Sequence, residues 1–357
     1  MGLIMVVQVL LLRLFKYFLL SIFIFSLAVK VKAESKKDTL VNVAWRDTFR
    51  VQKAQIFETE TADMLFYRPK PFQFAKNIPS DIYRLGKTGF SKKNLPKLGA
   101  ILAGSALLLA IDQPVTDAAM QFGRYIHLDP ARKSKTVIQF DIGNFHVNAM
   151  ELPDNTNSAI YYLGEGWASM LVAGGLYSYG LVANDYRARQ TTSQITESIF
   201  ALGFTTQFLK RITGRESPFR AMASDGSMKA GGGWHLFPGP AHYQNDVSAH
   251  DAFPSGHLAT AMATITILAG NYPDNKYIKP IGYSLMGILG YSMLNNGVHW
   301  ISDYPLAIAI GYATGKIVLA RGHKVISKKN TDHGKSSSLK PMYFSDGGIG
   351  LSYRATF

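Results

Sequence analysis

Apolar residues in this chain gather into runs of helical length separated by short polar turns, and that alternation sets the first expectation. The runs are G-A-I-L-A-G-S-A-L-L-L-A-I, ending at Asp112, Gln113 and Pro114; a Gly/Ala/Ser-rich stretch over about 159–183; and T-S-Q-I-T-E-S-I-F-A-L-G-F-T-T-Q-F-L-K from about Ser193. Three more follow: L-A-T-A-M-A-T-I-T-I-L-A-G after His257, a stretch over about 278–295, and one from near His299 to Arg321. Together they predict an all-α bundle of about six core helices, in a membrane or out of it, with about three long enough to span a bilayer. The small residues of 159–183 would let helices approach closely.

The flanks read differently. Arg13 and Lys16 precede Y-F-L-L-S-I-F-I-F-S-L-A-V, and V-K-A ends at Ala33, so residues 1–33 are expected to be a secretory leader. Residues 34–96 are mixed and polar, with P-K-P from Pro69 to Pro71, and predict a lead-in with short helices. The main domain is expected over residues 97–321, with 115–158 as a polar stretch of turns. A basic, serine-rich linker opens residues 322–357, which end in G-I-G-L-S-Y-R-A-T-F. There Ile349, Leu351, Tyr353, Ala355 and Phe357 alternate as in a strand, similar to the last strand of outer-membrane barrels, and are expected to pair locally or stay disordered.

Composition narrows the chemistry. With no cysteine, disulfides and cysteine-ligated metals are excluded. A net charge of +14 suits anionic lipid surfaces or phosphorylated substrates, although part of it lies in the leader and tail. Asp112, Asp141, His127 and His146 share no regular spacing and are read as surface or capping residues. His235, His242 and His250 lie in the long glycine-rich loop 220–251, a natural place for substrate recognition, and no partner is evident for any of them.

The richest local chemistry is A-F-P-S-G-H, from Ala252 to His257, followed by G-V-H-W-I-S-D, from Gly297 to Asp303. The first places Ser255 and the amides of Ser255, Gly256 and His257 at a helix N-terminus, where a phosphate would meet unpaired N–H groups. The second spaces His299 and Asp303 four apart, so that on one helical turn the carboxylate lies beneath the imidazole. Upstream, one helix delivers Lys210 at its C-terminal end.

These motifs resemble the type 2 phosphatidic acid phosphatases, the PAP2 superfamily, over roughly residues 98–320. Pro254, Ser255, Gly256 and His257 match the second family motif fully; Ser292, His299 and Asp303 match the third; Lys210 and Pro218 match the first. Met293 and Ser217 stand where the family has arginines. The resemblance implies that His299 is the nucleophile and forms a phosphohistidine, that Asp303 orients it, and that His257 protonates the leaving oxygen. Lys210, Ser255 and Gly256 would hold the phosphoryl oxygens, and Arg215 is the expected substitute for the missing clamp. No cofactor or metal is implied. The expected partner is a phosphomonoester or lipid pyrophosphate at a membrane, not nucleic acid, with the protein exported and either attached to the inner membrane with its site facing the periplasm or periplasmic. Vanadium haloperoxidases share the motif set, and a non-catalytic envelope protein of the same fold is the further alternative.

Overall fold

The computed structural model describes residues 39–45, 48–60, 62–130, 134–142, 145–162, 164, 166–221, 232–327, 336–343 and 349–356. The expected leader and the middle of the glycine-rich loop lie outside these residues. The helices are α1 (Gln73–Gly89), α2 (Leu95–Leu109), α3 (Asp112–Tyr125), α4 (Thr156–Tyr161), α5 (Gly166–Val182), α6 (Tyr186–Thr213), α7 (Gly256–Asn271), α8 (Ile278–Asn295) and α9 (Tyr304–Leu319), with single helical turns at Pro218–Ala221 and Pro240–Asn245. The expected helical bundle is therefore present. Its core, built on Leu202, Leu258, Ala259, Leu289, Met293, Tyr304 and Ala307, lies where α6, α7, α8 and α9 meet.

Local chemistry explains where these helices begin and end. Asp185 accepts a hydrogen bond from the Ala188 amide at 2.8 Å and starts α6 seven residues before Ser193, in a stretch too polar for periodicity to reveal. Gly214 ends the helix in the left-handed region, at φ 52°, and a Cβ there would lie 1.9 Å from the His235 carbonyl oxygen. Pro114, expected to close a helix, instead stands in the first turn of α3, where its missing N–H costs nothing.

Strands also replace part of what the sequence suggested. β1 (Thr39–Trp45), β2 (Thr48–Glu58) and β3 (Ala62–Tyr67) form an antiparallel sheet where short helices were expected, and β6 (His323–Ser327) joins its edge with Leu65 opposite Lys324. The sheet packs on the start of α6 through Phe57, Met64, Phe66 and Tyr186. Gln55 fixes that seam, donating to the Asn184 carbonyl at 2.8 Å and accepting from the Tyr186 amide at 3.0 Å. β4 (Ser134–Ile142) pairs with β5 (Phe145–Pro153) inside the stretch read as turns, and β7 (Ser336–Tyr343) pairs with β8 (Ile349–Thr356), the expected local partnership of the tail.

No single helix among the described residues is long and apolar enough to cross a membrane, contrary to the three anticipated; α2 and α3 meet such a criterion only as a pair bent by 66°. Close helix approach occurs in the expected stretch, where a Cβ at Gly180 would lie 2.6 Å from the Arg189 side chain of α6, and beyond it as well. Gly174 in α5 has open space where a Cβ would be, whereas at Gly311 in α9 a Cβ would lie 2.2 Å from the Ala259 carbonyl of α7. That contact sets α9, whose first turn follows Asp303, against α7, which starts beside His257. Gly311→Ala should destabilise the protein by about 1–3 kcal/mol in urea unfolding, the usual cost of overpacking.

Far from this end of the bundle, Glu197 and Asp81 are buried around Arg321. The guanidinium lies 2.6 Å from Asp81 and 3.3 Å from Glu197, whose other oxygen accepts from Asn77 at 2.8 Å. Burial, and next the neighbouring Asp81, push the Glu197 carboxyl up to about 9. Between the usual carboxylate range and that value the folded protein holds a proton that the unfolded chain has released. Stability from this group is therefore complete in acid and declines as pH rises, by up to about 1.4 kcal/mol per pH unit. Glu197→Gln should flatten the fall between roughly pH 5 and 9, as measured by urea unfolding across that range.

Candidate active site

Ser255 begins α7 as its N-cap, accepting from the Leu258 amide at 3.4 Å. It is fully buried, and its hydroxyl also reaches the Met293 sulfur at 3.7 Å, so the side chain is engaged in the helix cap and the core. The amides of Gly256 and His257 open the helix, as the motif predicts. A Cβ at Gly256 would lie 4.0 Å from Lys210 Nζ and 3.8 Å from Thr206 Oγ1, which brings the end of α6 to the start of α7. Lys210 is buried and its ammonium is paired with Asp251 at 2.9 Å.

His257 and His299 face each other, with ring centroids 5.6 Å apart and planes at 70°. Tyr161, in α4, covers His257 at 4.3 Å. Gly164 makes room beside it, since a Cβ there would come within 2.7 Å of His257 Cβ and 2.5 Å of Leu289. Neither Tyr161 nor Gly164 carries a sequence signal of its role, because both act by shape.

His299 does not open a helix as expected. It precedes a tight turn, Ile301–Asp303, and α9 starts only at Tyr304. The imidazole is buried, with Nδ1 2.7 Å from the Ala252 carbonyl and 3.5 Å from Asp303 Oδ2. A carbonyl only accepts, so Nδ1 carries the proton and the neutral ring leaves its lone pair on Nε2. That Nε2 is buried and makes no hydrogen bond in the structure. The Ala252 carbonyl thus makes the shorter contact, and Asp303 supports it from behind.

Asp303 is itself tightly held. Its Oδ2 accepts from the Trp300 amide at 2.8 Å, and Oδ1 accepts from Arg215. Arg215, expected at the phosphate, is fully buried instead: beyond Asp303, it donates to Ser302 Oγ at 2.7 Å and to Asp112 at 2.6 Å. Asp112, read as a surface or capping residue, is likewise fully buried and accepts from the Ser302 amide at 3.0 Å.

The two positions that carry arginine in the family are buried. Met293 belongs to the core with no exposure, and Ser217 donates to the Ser248 carbonyl at 3.0 Å. Arg220 is exposed and paired with Asp246 at 2.7 Å; a hydrogen bond from Ser248 and then this arginine keep the Asp246 carboxyl below its ordinary range. In the neighbouring loop, His235 contacts Glu216 at 3.1 Å and lies 5.1 Å from the ring of His250, whose imidazole burial pushes down.

Residues 192–326 match the model of the PAP2 superfamily. Over 73 residues the chain is 33% identical to the lipid A 1-phosphatase of Porphyromonas gingivalis, a match covering 20% of this chain and 16% of that protein's length. It is also similar to the crystal structure of Aquifex aeolicus LpxE at 21% identity and a TM-score of 0.31, over 46% of this chain and 83% of that one. The segment that matches the PAP2 superfamily model carries Lys210, both motif histidines and Asp303.

Proposed function

We propose that this protein is a phosphatase that hydrolyses a phosphorylated lipid or lipid pyrophosphate through a phosphohistidine, without needing a metal ion. The observation that carries the reading is the buried, unpartnered Nε2 of His299, on a ring whose centroid lies 5.6 Å from that of His257 and whose Nδ1 is fixed on Ala252. A buried nitrogen without a partner is costly in structural terms, and its lone pair is what a nucleophile needs.

In the first step Nε2 attacks phosphorus as the bond to the leaving oxygen breaks, and protonated His257 gives that oxygen its proton. The phosphorylated imidazole gains positive charge, which the Ala252 carbonyl and Asp303 stabilise. Neutral His257 then takes a proton from water, whose oxygen attacks phosphorus; the P–N bond breaks and inorganic phosphate leaves. Lys210 and the start of α7 meet the phosphoryl charge.

A lipid substrate is supported by the similarity to a lipid A 1-phosphatase and by the outer faces of the bundle. Phe200, Phe204 and Phe208 recur every fourth residue as an exposed stripe on α6, and Trp167, Leu171 and Leu181 are exposed on α5. Attachment to a membrane after export is part of the same proposal. The burial of Met293 and Ser217 favours the second reading, an envelope protein of this fold that has lost catalysis along with its clamp.

Phosphate release from a panel of lipid and soluble phosphates, with chelator present, separates the two. The wild type should be active, His299→Ala should fall to background, and His257→Ala should lose about 10²–10⁴-fold. A phosphoryl adduct labile to acid and stable to alkali should appear in wild type only. An inert wild type would leave the non-catalytic reading. In the same assay Gly164→Ala, which crowds His257, should cost about 10²-fold in kcat while the protein stays folded by circular dichroism.

A further inference from the structure

Arg215 has the charge of a phosphate clamp but none of the access. Its guanidinium is fully buried, with one terminal nitrogen on Asp303 and Ser302 and the other on Asp112. Trp300 and Trp234 cover it, with ring centroids 5.5 Å and 4.8 Å from the guanidinium carbon. Asp112 is equally committed: one oxygen takes the Ser302 amide at 3.0 Å, the other takes the Ser302 hydroxyl at 2.6 Å and Arg215 at 2.6 Å. These bonds converge on the turn that joins His299 to Asp303.

We infer that Arg215 and Asp112 act as a pair of positioning residues for His299, working through Asp303, and that Arg215 does not touch the phosphoryl group. The inference rests on the proposed phosphohistidine reading. Asp303 has two possible places for its charge: on Arg215 and the Trp300 amide, as observed, or directly on His299 Nδ1. Arg215 holds Oδ1 and Trp300 holds Oδ2, which keeps the carboxylate 3.5 Å from Nδ1 and leaves the Nδ1 proton to the Ala252 carbonyl. Asp112 fixes the other end of the guanidinium and, through the Ser302 amide, the backbone of the turn itself. Without this pair the carboxylate is free to rotate onto Nδ1 and compete with the Ala252 carbonyl for its proton, and the ring loses its fixed orientation.

The full chain with Arg215→Met, Arg215→Lys and Asp112→Asn, beside Lys210→Met as a phosphate-contact control, tests this through three readouts. They are kcat and KM on the best phosphate ester, affinity for orthovanadate, and the hydrogen-bond environment of the His299 Nδ1 proton by NMR of nitrogen-15 histidine-labelled protein. Arg215→Met and Asp112→Asn should lower kcat about 10²-fold, with KM and vanadate affinity changed by no more than about threefold. In both, the His299 Nδ1 proton signal should change from a single hydrogen-bonded environment to more than one. Arg215→Lys should recover little, because an ammonium cannot span two carboxylates as the planar fork does. Lys210→Met should instead weaken vanadate.

A folded Arg215→Met that weakens vanadate and raises KM tenfold or more, with the Nδ1 proton signal unchanged, would make Arg215 a clamp and overturn the inference. Unchanged kcat and Nδ1 proton signal in folded Asp112→Asn would overturn it too, and that variant decides the matter if Arg215→Met does not fold. Should the wild type hydrolyse nothing, the phosphatase reading fails on its own account; the Nδ1 proton signal of the variants still decides whether this pair positions His299.

Discussion

A guanidinium taken out of water is tolerated only where acceptors meet its donors, and Arg215 meets Asp112, Asp303 and Ser302 with no exposure left. Two buried carboxylates against one cation would still leave a surplus negative charge. Three further donors disperse it: the amides of Trp300 and Ser302 and the Ser302 hydroxyl. Breaking such a group by removing one member typically costs about 3–5 kcal/mol, because what remains is an uncompensated buried charge. The arrangement therefore fixes geometry more surely than it adds stability.

Its reach extends through the backbone. The Arg215 carbonyl accepts from the Ala252 amide at 3.0 Å, the Ala252 carbonyl takes the His299 Nδ1 proton, and the Ser255 amide donates to the Asp303 carbonyl at 3.3 Å. Three stretches far apart in sequence, around residues 215, 252–255 and 299–303, are thereby stitched into one unit. The close passage of α9 over α7 at Gly311 holds the helices on either side of that unit in a single relation. Rigid elements position the two imidazoles, which suits a reaction that depends on alignment across phosphorus.

How much of this the sequence reveals depends on the range of each interaction. His257 and Ser255 are legible because a helix start has local chemistry, and His299 with Asp303 because their spacing is short. Lys210 gains meaning only beside those two stretches. Asp112 is not legible: its partners lie 103 and 190 residues away, and nothing in its own neighbourhood marks it as buried. The six apolar runs of the bundle show plainly in the pattern. α3 and the sheet do not, since α3 exposes Phe122 and Tyr125 while burying Asp112 and Thr116, an inverted pattern that periodicity reads as a turn. The strands T-L-V-N-V-A-W and A-D-M-L-F-Y do carry β-branched and aromatic residues, a signal outweighed by the charged stretches around them.

The electrostatics of the cleft bear on what a substrate must supply. Without arginines at 217 and 293, the cation set beside Gly256 is Lys210, and its charge is already paired with Asp251. Asp251 also accepts from Tyr243, whose hydroxyl burial, and next the charge of that carboxylate, raise above its ordinary value. A phosphoryl group entering here competes with Asp251 for Lys210, so the headgroup contributes little net binding in the ground state. Binding energy must then come from parts of the substrate remote from phosphorus, which is where a lipid has its apolar surface and a small phosphate ester has none. As charge builds on the phosphoryl oxygens in the transition state, Lys210 gains more from them than from Asp251. The competition that weakens ground-state binding thus does not weaken transition-state binding to the same degree, and the loss of the clamp presses the proposed enzyme toward lipid substrates rather than out of catalysis.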